Sequence, residues 1–205
     1  MTGSEQTVFV VEDDAAVRDS IGLLLGIKGY RTQAFECAED FLRVYEATWG
    51  GCLLLDIRMP GMSGLQLQEA LRQKNLALPI VIMTAHGDVS TVRATLKSGA
   101  IDFLEKPVDP VALVAAIQVA LGVDATQRRA ALAAEQAKQR LDVLTVRERQ
   151  VMELIVTGLS NREIAKTLGI SPRTVEVHKY RIMEKLRVEN LPALVQFVVG
   201  PLATP

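Results

Sequence analysis

The first 122 residues alternate between two hydrophobic patterns. Short strand-like runs occupy residues 7–11, 31–35, 51–55, 79–84 and 101–104. Between them, residues 15–28, 38–48, 63–73, 89–98 and 110–121 carry apolar positions at three- and four-residue spacing. The first pattern predicts strands and the second helices. Five strand-then-helix units imply a doubly wound α/β fold with a five-stranded parallel sheet covered on both faces. Ile80-Val81-Ile82-Met83 has no polar member, as a central strand buried on both sides requires. Asp109 before Pro110 predicts an N-cap and a first-turn proline, and Gly29 and Gly99 stand where helices should stop.

Residues 123–140 change character. Ala125, Ala130, Ala131, Ala133, Ala134 and Ala137 are interspersed with Gln, Arg, Glu and Lys, and no Gly or Pro interrupts residues 123–141. This composition favours a mostly exposed helical linker, continuous with the preceding helix or set off from it, with flexible coil as the alternative. From Leu144 onward every predicted element is helical: residues 146–157, 161–168, 172–186 and 191–199. Thr145-x-x-Glu148 and Ser160-x-x-Glu163 are capping-box patterns, and Ser171-Pro172 is an N-cap followed by a first-turn proline. The chain thus divides into a front domain at 1–122, a linker at 123–140 and an all-α four-helix rear domain at 141–205.

Composition narrows the class. The 205 residues are 49% hydrophobic and 23% charged, ordinary for a soluble globular protein. No apolar run approaches the length of a membrane span, and the N-terminus shows no signal-peptide pattern. Cys37 and Cys52 are too few for a disulfide framework or a zinc site, which points to a reducing, cytoplasmic setting. The net charge of −1 is uneven: residues 1–122 carry −5, residues 123–140 +2 and residues 141–205 +2. A mildly basic rear half permits nucleic-acid binding without demanding it.

The strand ends carry the candidate chemistry. Glu12-Asp13-Asp14 follows the first strand, Asp56 the third, Thr84 ends the fourth, and Lys106 follows the fifth. Carboxyl ends of parallel strands meet on one edge, so distant acidic groups should converge there. Packed carboxylates repel unless a hard cation sits among them, and Mg²⁺ is the usual one. An ionised Asp56 can attack phosphorus. Thr84 and the amide of Ala85 can donate to a phosphoryl oxygen, and Lys106 supplies a compact positive charge. Asp14 reads as a helix-start charge. His86 and the side chain of Arg58 are candidates for tuning phosphoryl lifetime, with a plain loop position as the alternative for His86. Trp49 falls in a loop away from the site.

The strings V-V-E-D-D, L-D-I-R-M-P-G-M-S-G, I-M-T-A and F-L-E-K-P resemble the CheY-like receiver domain of bacterial response regulators over about residues 7–122. The resemblance implies that Asp56 is the phospho-acceptor. It implies that Glu12, Asp13, Asp56 and the backbone carbonyl of Arg58 hold Mg²⁺, with Glu12 standing where many members have Asp. It also implies that Thr84 and Phe103 form the switch, Phe103 otherwise being a core-packing aromatic.

In the rear domain, Leu168-Gly169-Ile170-Ser171 joins two helices as a helix-turn-helix. Val175, Ile182 and Leu186 should face its core, leaving Arg173, Glu176, Lys179, Tyr180 and Arg181 outside. Ser160, Asn161, Ser171 and Thr174 lie at helix N-termini suited to phosphate. L-T-x-R-E-x-x-V, G-x-S-N-x-E-I-A and L-x-I-S-x-x-T-V-x-x-H resemble the LuxR-type DNA-binding domain over about residues 141–200. By that resemblance Glu176, Val177 and Tyr180 face base edges, Arg173, Thr174, His178 and Lys179 contact or support phosphates, and the last helix pairs two copies. His178 as a packing residue, and the last helix as a cover for the small core, stay open as alternatives.

Together the two resemblances describe a FixJ-like response regulator, a non-enzymatic DNA-binding switch. A sensor histidine kinase, promoter DNA, RNA polymerase and a second copy on phosphorylation are the implied partners, with no membrane. An aspartyl phosphatase would place a second Asp where Arg58 stands. A phosphorylation-independent interaction protein with a relict site is the third class.

Overall fold

The computed structural model describes residues 6–85 and 99–202, and these fall in two compact units that divide between Gln127 and Arg128. The first unit contains β1 (Thr7–Val11), α1 (Ala15–Ile27), β2 (Arg31–Phe35), α2 (Ala38–Val44), β3 (Gly51–Asp56), α3 (Gly64–Gln73), β4 (Ile80–Thr84) and β5 (Asp102–Glu105). The strands form one parallel sheet in the order β2-β1-β3-β4-β5. The helix expected at 89–98 and His86 lie outside the described residues.

The two-residue period of the strands explains the two-sided core. Val8, Val10, Cys52, Leu54, Val81 and Met83 point to one face, where Ile21 and Leu25 of α1 cover them with Leu113 and Ile117 of the helix that follows β5. Phe9, Val11, Leu53, Leu55, Ile80 and Ile82 point to the other, against Phe41 of α2 and Leu67 and Leu71 of α3. Both cysteines are free, and burial pushes the Cys52 thiol up to about 12, which makes it a packing residue.

One helix stops well short of its expected end. The helix expected over 38–48 ends at Val44, because Tyr45 takes an extended backbone and stacks on Phe41 at 5.1 Å. Trp49 beyond it stacks on Phe9 at 5.5 Å, so the apolar residues after Val44 belong to an aromatic cluster rather than to a helical stripe. After β5, α4 (Pro110–Leu141) is one uninterrupted helix across Gly122 and the alanine-rich segment, the continuous form of the helical linker that the composition favoured. It is long and apolar enough, by length and composition, to cross a membrane, against the reading of the sequence that no stretch approaches a span. Its apolar residues Leu113, Ala116, Ile117 and Ala120 are buried against the sheet.

The second unit contains α5 (Val146–Val156), α6 (Asn161–Leu168), α7 (Pro172–Leu186) and α8 (Leu191–Leu202). Both capping boxes form, on Thr145/Glu148 and Ser160/Glu163, and Ser171 caps α7 with Pro172 in its first turn. Gly169 ends α6 in the left-handed region (φ 64°), the conformation that glycine adopts without a Cβ penalty. Val151, Met152, Ile155, Ile164, Val175, Ile182, Leu186 and Leu194 form the small core.

Candidate functional site

The sheet register brings the strand ends to one rim: Val11 stands beside Leu55, Asp56 beside Met83, and Thr84 beside Glu105. The chain therefore delivers Glu12, Asp56, Thr84 and Lys106 side by side. Glu12 is fully buried, and Asp56 and Thr84 are 5% and 3% exposed. Glu12, Asp13 and Asp56 each offer a carboxylate oxygen within 4.8 Å of the others. The Lys106 ammonium lies 2.7 Å from Asp56 Oδ2 and 2.6 Å from Glu12 Oε2.

Local structure fixes each group. Asp14 accepts from the amides of Ala16 and Val17 as the N-cap of α1, a structural role as its position predicted. Arg18, one turn into α1, donates to the carbonyls of Glu12 (2.7 Å) and Asp13 (3.1 Å) and so holds the acidic loop. Glu12 Oε1 accepts from Asp14 N–H, and Asp56 Oδ1 from Arg58 N–H, both at 3.3 Å. Behind Asp56, a Cβ on Gly64 would stand 2.2 Å from the Asp56 carbonyl oxygen, so only glycine lets α3 start this close to the acidic residue.

Charge and burial act against each other here. Burial and then the Asp56 charge hold the Glu12 carboxyl above the usual range, with Lys106 opposing. Burial works to lower the Lys106 ammonium, but its hydrogen bond to Asp56 and the close charges of Asp56 and Glu12 outweigh that and raise it. Glu12 Oε2 is buried and makes no hydrogen bond: the ammonium is close enough for an ion pair yet poorly aligned. Three carboxylates cluster together, two of them paired with one ammonium, with an all-oxygen donor set and an unused buried lone pair. That is the chemistry of a hard-cation site.

The remaining expected residues are placed as follows. Ala85 is exposed directly after β4, and Arg58 is exposed beyond Asp56. Phe103 lies on edge strand β5, 36% exposed, so it is not a core aromatic. Trp49 lies before β3, at the opposite end of that strand from Asp56. In the second unit, α7 buries Val175, Ile182 and Leu186 and presents Arg173, Glu176, Val177, Tyr180 (66% exposed) and Arg181 to solvent. Thr174 is half-buried, its amide and hydroxyl engaged with Ser171 Oγ. Half-buried His178 has a buried Nδ1 with no hydrogen-bond partner. Half-buried Lys179 donates to Asn161 Oδ1 at 3.1 Å.

Sequence reasoning missed Arg18, whose only signal is its position one turn after the cap. It also missed Asp124, buried in α4, where it accepts from Gly51 N–H (3.0 Å) and Gln6 Nε2 (3.1 Å).

A parallel five-stranded sheet with an acidic rim, followed by a helix-turn-helix, defines a class. Residues 8–118 match the response regulator receiver domain, and residues 142–198 match the bacterial regulatory proteins of the luxR family. The chain is 42% identical to the transcriptional regulatory protein FixJ of Azorhizobium caulinodans over 94% of its length and 91% of the relative's. It is 41% identical to the transcriptional regulatory protein TdiR of Thauera aromatica, covering 97% of this chain and 87% of that one. A structure of the response regulator StyR superposes with a TM-score of 0.82 at 44% identity, covering 96% and 99% of the two chains. Full-length FixJ from B. japonicum superposes at 0.60 with 36% identity, covering 99% and 100%. The chain belongs to the FixJ-like response regulators, which join a receiver to a LuxR-type DNA-binding domain. It is a two-component transcription regulator and not an enzyme. The receiver implies a histidine kinase partner, and the LuxR-type domain implies DNA binding.

Proposed function

We propose that Asp56 takes a phosphoryl group from a histidine of the cognate kinase and that this switches promoter binding. One observation carries the reading: a buried carboxylate at the end of the central strand, flanked by Glu12 and Asp13, with an ammonium 2.7 Å away. In the transfer, an Asp56 carboxylate oxygen bonds to phosphorus as the kinase's N–P bond breaks. Lys106 then exchanges its carboxylate partner for a phosphoryl oxygen, and Thr84 O–H and Ala85 N–H donate to the others. Glu12, Asp13, Asp56 and the Arg58 carbonyl are the ligands for Mg²⁺, which when bound offsets the charge on the transferring group.

Recruitment of Thr84 opens space for Phe103 to turn inward from its exposed position, which remodels the receiver face around β5. Paired receivers then present two helix-turn-helix units to promoter DNA. Arg173, Thr174, His178 and Lys179 engage phosphates, and Glu176, Val177 and Tyr180 face base edges. RNA polymerase is the downstream partner, and the cytoplasm is where kinase, promoter and polymerase meet. The working division is receiver 1–122, linker 123–140 and DNA-binding domain 141–205.

The test is incubation with acetyl phosphate and Mg²⁺ followed by intact mass. The wild type should gain one phosphoryl group, and Asp56→Asn none. Equal uptake by both proteins refutes the assignment.

A further inference from the structure

Asn161 occupies the first position of α6, directly after its N-cap Ser160. Its amide reaches across to α7, where Oδ1 accepts from Lys179 Nζ at 3.1 Å and Nδ2 faces Glu176 Oε1 at 3.5 Å. Glu176 and Lys179 are three residues apart, hence neighbours on one face of α7. The amide orientation is the one electrostatics requires, because the flipped amide would set oxygen against carboxylate and N–H₂ against ammonium. The longer contact orients Glu176 without gripping it. Glu176 stays exposed, whereas Lys179 is half-buried.

Two physical consequences follow. A solvated lysine gives up much of its rotamer freedom when it docks on a phosphate, and here much of that ordering precedes the DNA. A carboxylate brought near a phosphate backbone is repelled, and the Lys179 charge held in the same cluster offsets this. Glu176 can only accept hydrogen bonds, so the base edge it suits carries an amino group, cytosine N4 above all.

We infer that Asn161 is a positioning residue for DNA recognition, setting Lys179 as a phosphate ligand and Glu176 as a reader of an amino-bearing base edge. This rests on α7 being the recognition helix, and the experiment separates the two. The acetyl-phosphate-treated full-length chain selects sites from a random-sequence duplex library. Binding of the selected duplex is then followed across a salt series by fluorescence anisotropy.

Lys179→Ala should lower the slope of log K against log salt by about one. Glu176→Gln should move the preference at one base position per half-site from cytosine to adenine. Asn161→Ala should do both in part: a shallower slope and a blurred preference at that same position. Its effect should vanish in a Lys179→Ala background as far as the slope is concerned. Asn161→Asp keeps an acceptor for Lys179 and suits a helix N-terminus, so it should retain the slope while losing the Glu176 preference through like-charge repulsion, a pattern that misfolding does not produce.

If the wild type selects no motif, or Lys179→Ala and Glu176→Gln change nothing, the recognition-helix reading and this inference fall together. If those two act while Asn161→Ala is silent, or acts undiminished on the slope in the Lys179→Ala background, Asn161 alone loses its role.

Discussion

Glu12 and Glu148 are both buried, yet their carboxyls are displaced in opposite directions. For Glu12, burial and the Asp56 charge prevail over Lys106. The folded state therefore binds more protons than the unfolded state just above the ordinary pKa of 4.5, and stability falls as pH rises through that window. Removing the ammonium should deepen this. Lys106→Ala is expected to lose about 2–4 kcal/mol near neutrality and to recover stability as pH is lowered, the reverse of ordinary acid denaturation. Urea unfolding of the receiver half, followed by the fluorescence of the single tryptophan Trp49, measures it. For Glu148, burial works upward, but Lys185 Nζ at 2.7 Å and both donors of Thr145 outweigh it and bring the carboxyl down to about 2. Its contribution is complete above 4.5 and is lost as pH falls from there toward 2. Lys185 is a little over a third exposed, so solvent screening limits the effect to about 2 kcal/mol. Glu148→Gln should abolish the acid-labile part of the protection of α5 amides in hydrogen exchange. Unaltered pH dependence in that variant would show the ion pair to be energetically idle.

At the scale of elements, the strands and their order along the chain were legible because the covered strands β1, β3 and β4 are apolar along their middles, and the acidic rim was legible because parallel strands share one carboxyl edge. The helix-turn-helix was equally open to reading, since Ser160, Gly169 and Ser171-Pro172 punctuate it with residues chosen by backbone chemistry. What could not be read depends on contacts between distant residues. The end of α2 is set by Tyr45 and Trp49 packing around Phe9, which a helical period imitates. Gly122 and a thin apolar stripe left the unity of α4 as one of several readings, and nothing near Asp124 announces its role. There, 73 residues from its partner, it receives the amide of Gly51 at the amino end of β3. Gln6 ties the same carboxylate and the Leu121 carbonyl to the start of β1. Asp124→Ala should leave the Gly51 N–H buried without that acceptor, at a cost of about 1–3 kcal/mol. Its exchange should become faster relative to the β3 amides near Asp56. Equal acceleration along the whole strand would mean global destabilisation instead of a released latch.

Across the whole molecule, the charge asymmetry predicts that the two proposed binding events, receiver pairing and DNA contact, respond oppositely to salt. Residues 1–122 carry −5, and a phosphoryl group adds about −1.5 to −2 more. Two receivers therefore repel at long range, and the proposed pairing would have to be driven by apolar contact and a remodelled face rather than by net charge. Repulsion is screened within about 10 Å at 0.1 M salt, so raising ionic strength should strengthen the dimer. On the proposed contacts, the rear domain, at +2, would meet phosphates through Arg173 and Lys179, and counterion release would make that contact weaken as salt rises. One such module buries only about 600–1,000 Å² on DNA, so affinity depends on pairing two. Sedimentation velocity with beryllofluoride as the phosphoryl mimic should show a monomer becoming a dimer, with a dissociation constant that falls as salt is added. DNA affinity measured on the pre-formed dimer should fall over the same range. A chain that stays monomeric with beryllofluoride and binds DNA unchanged would reject phosphorylation-driven pairing. A dimer that salt dissolves would keep the pairing but place its driving force in ion pairs.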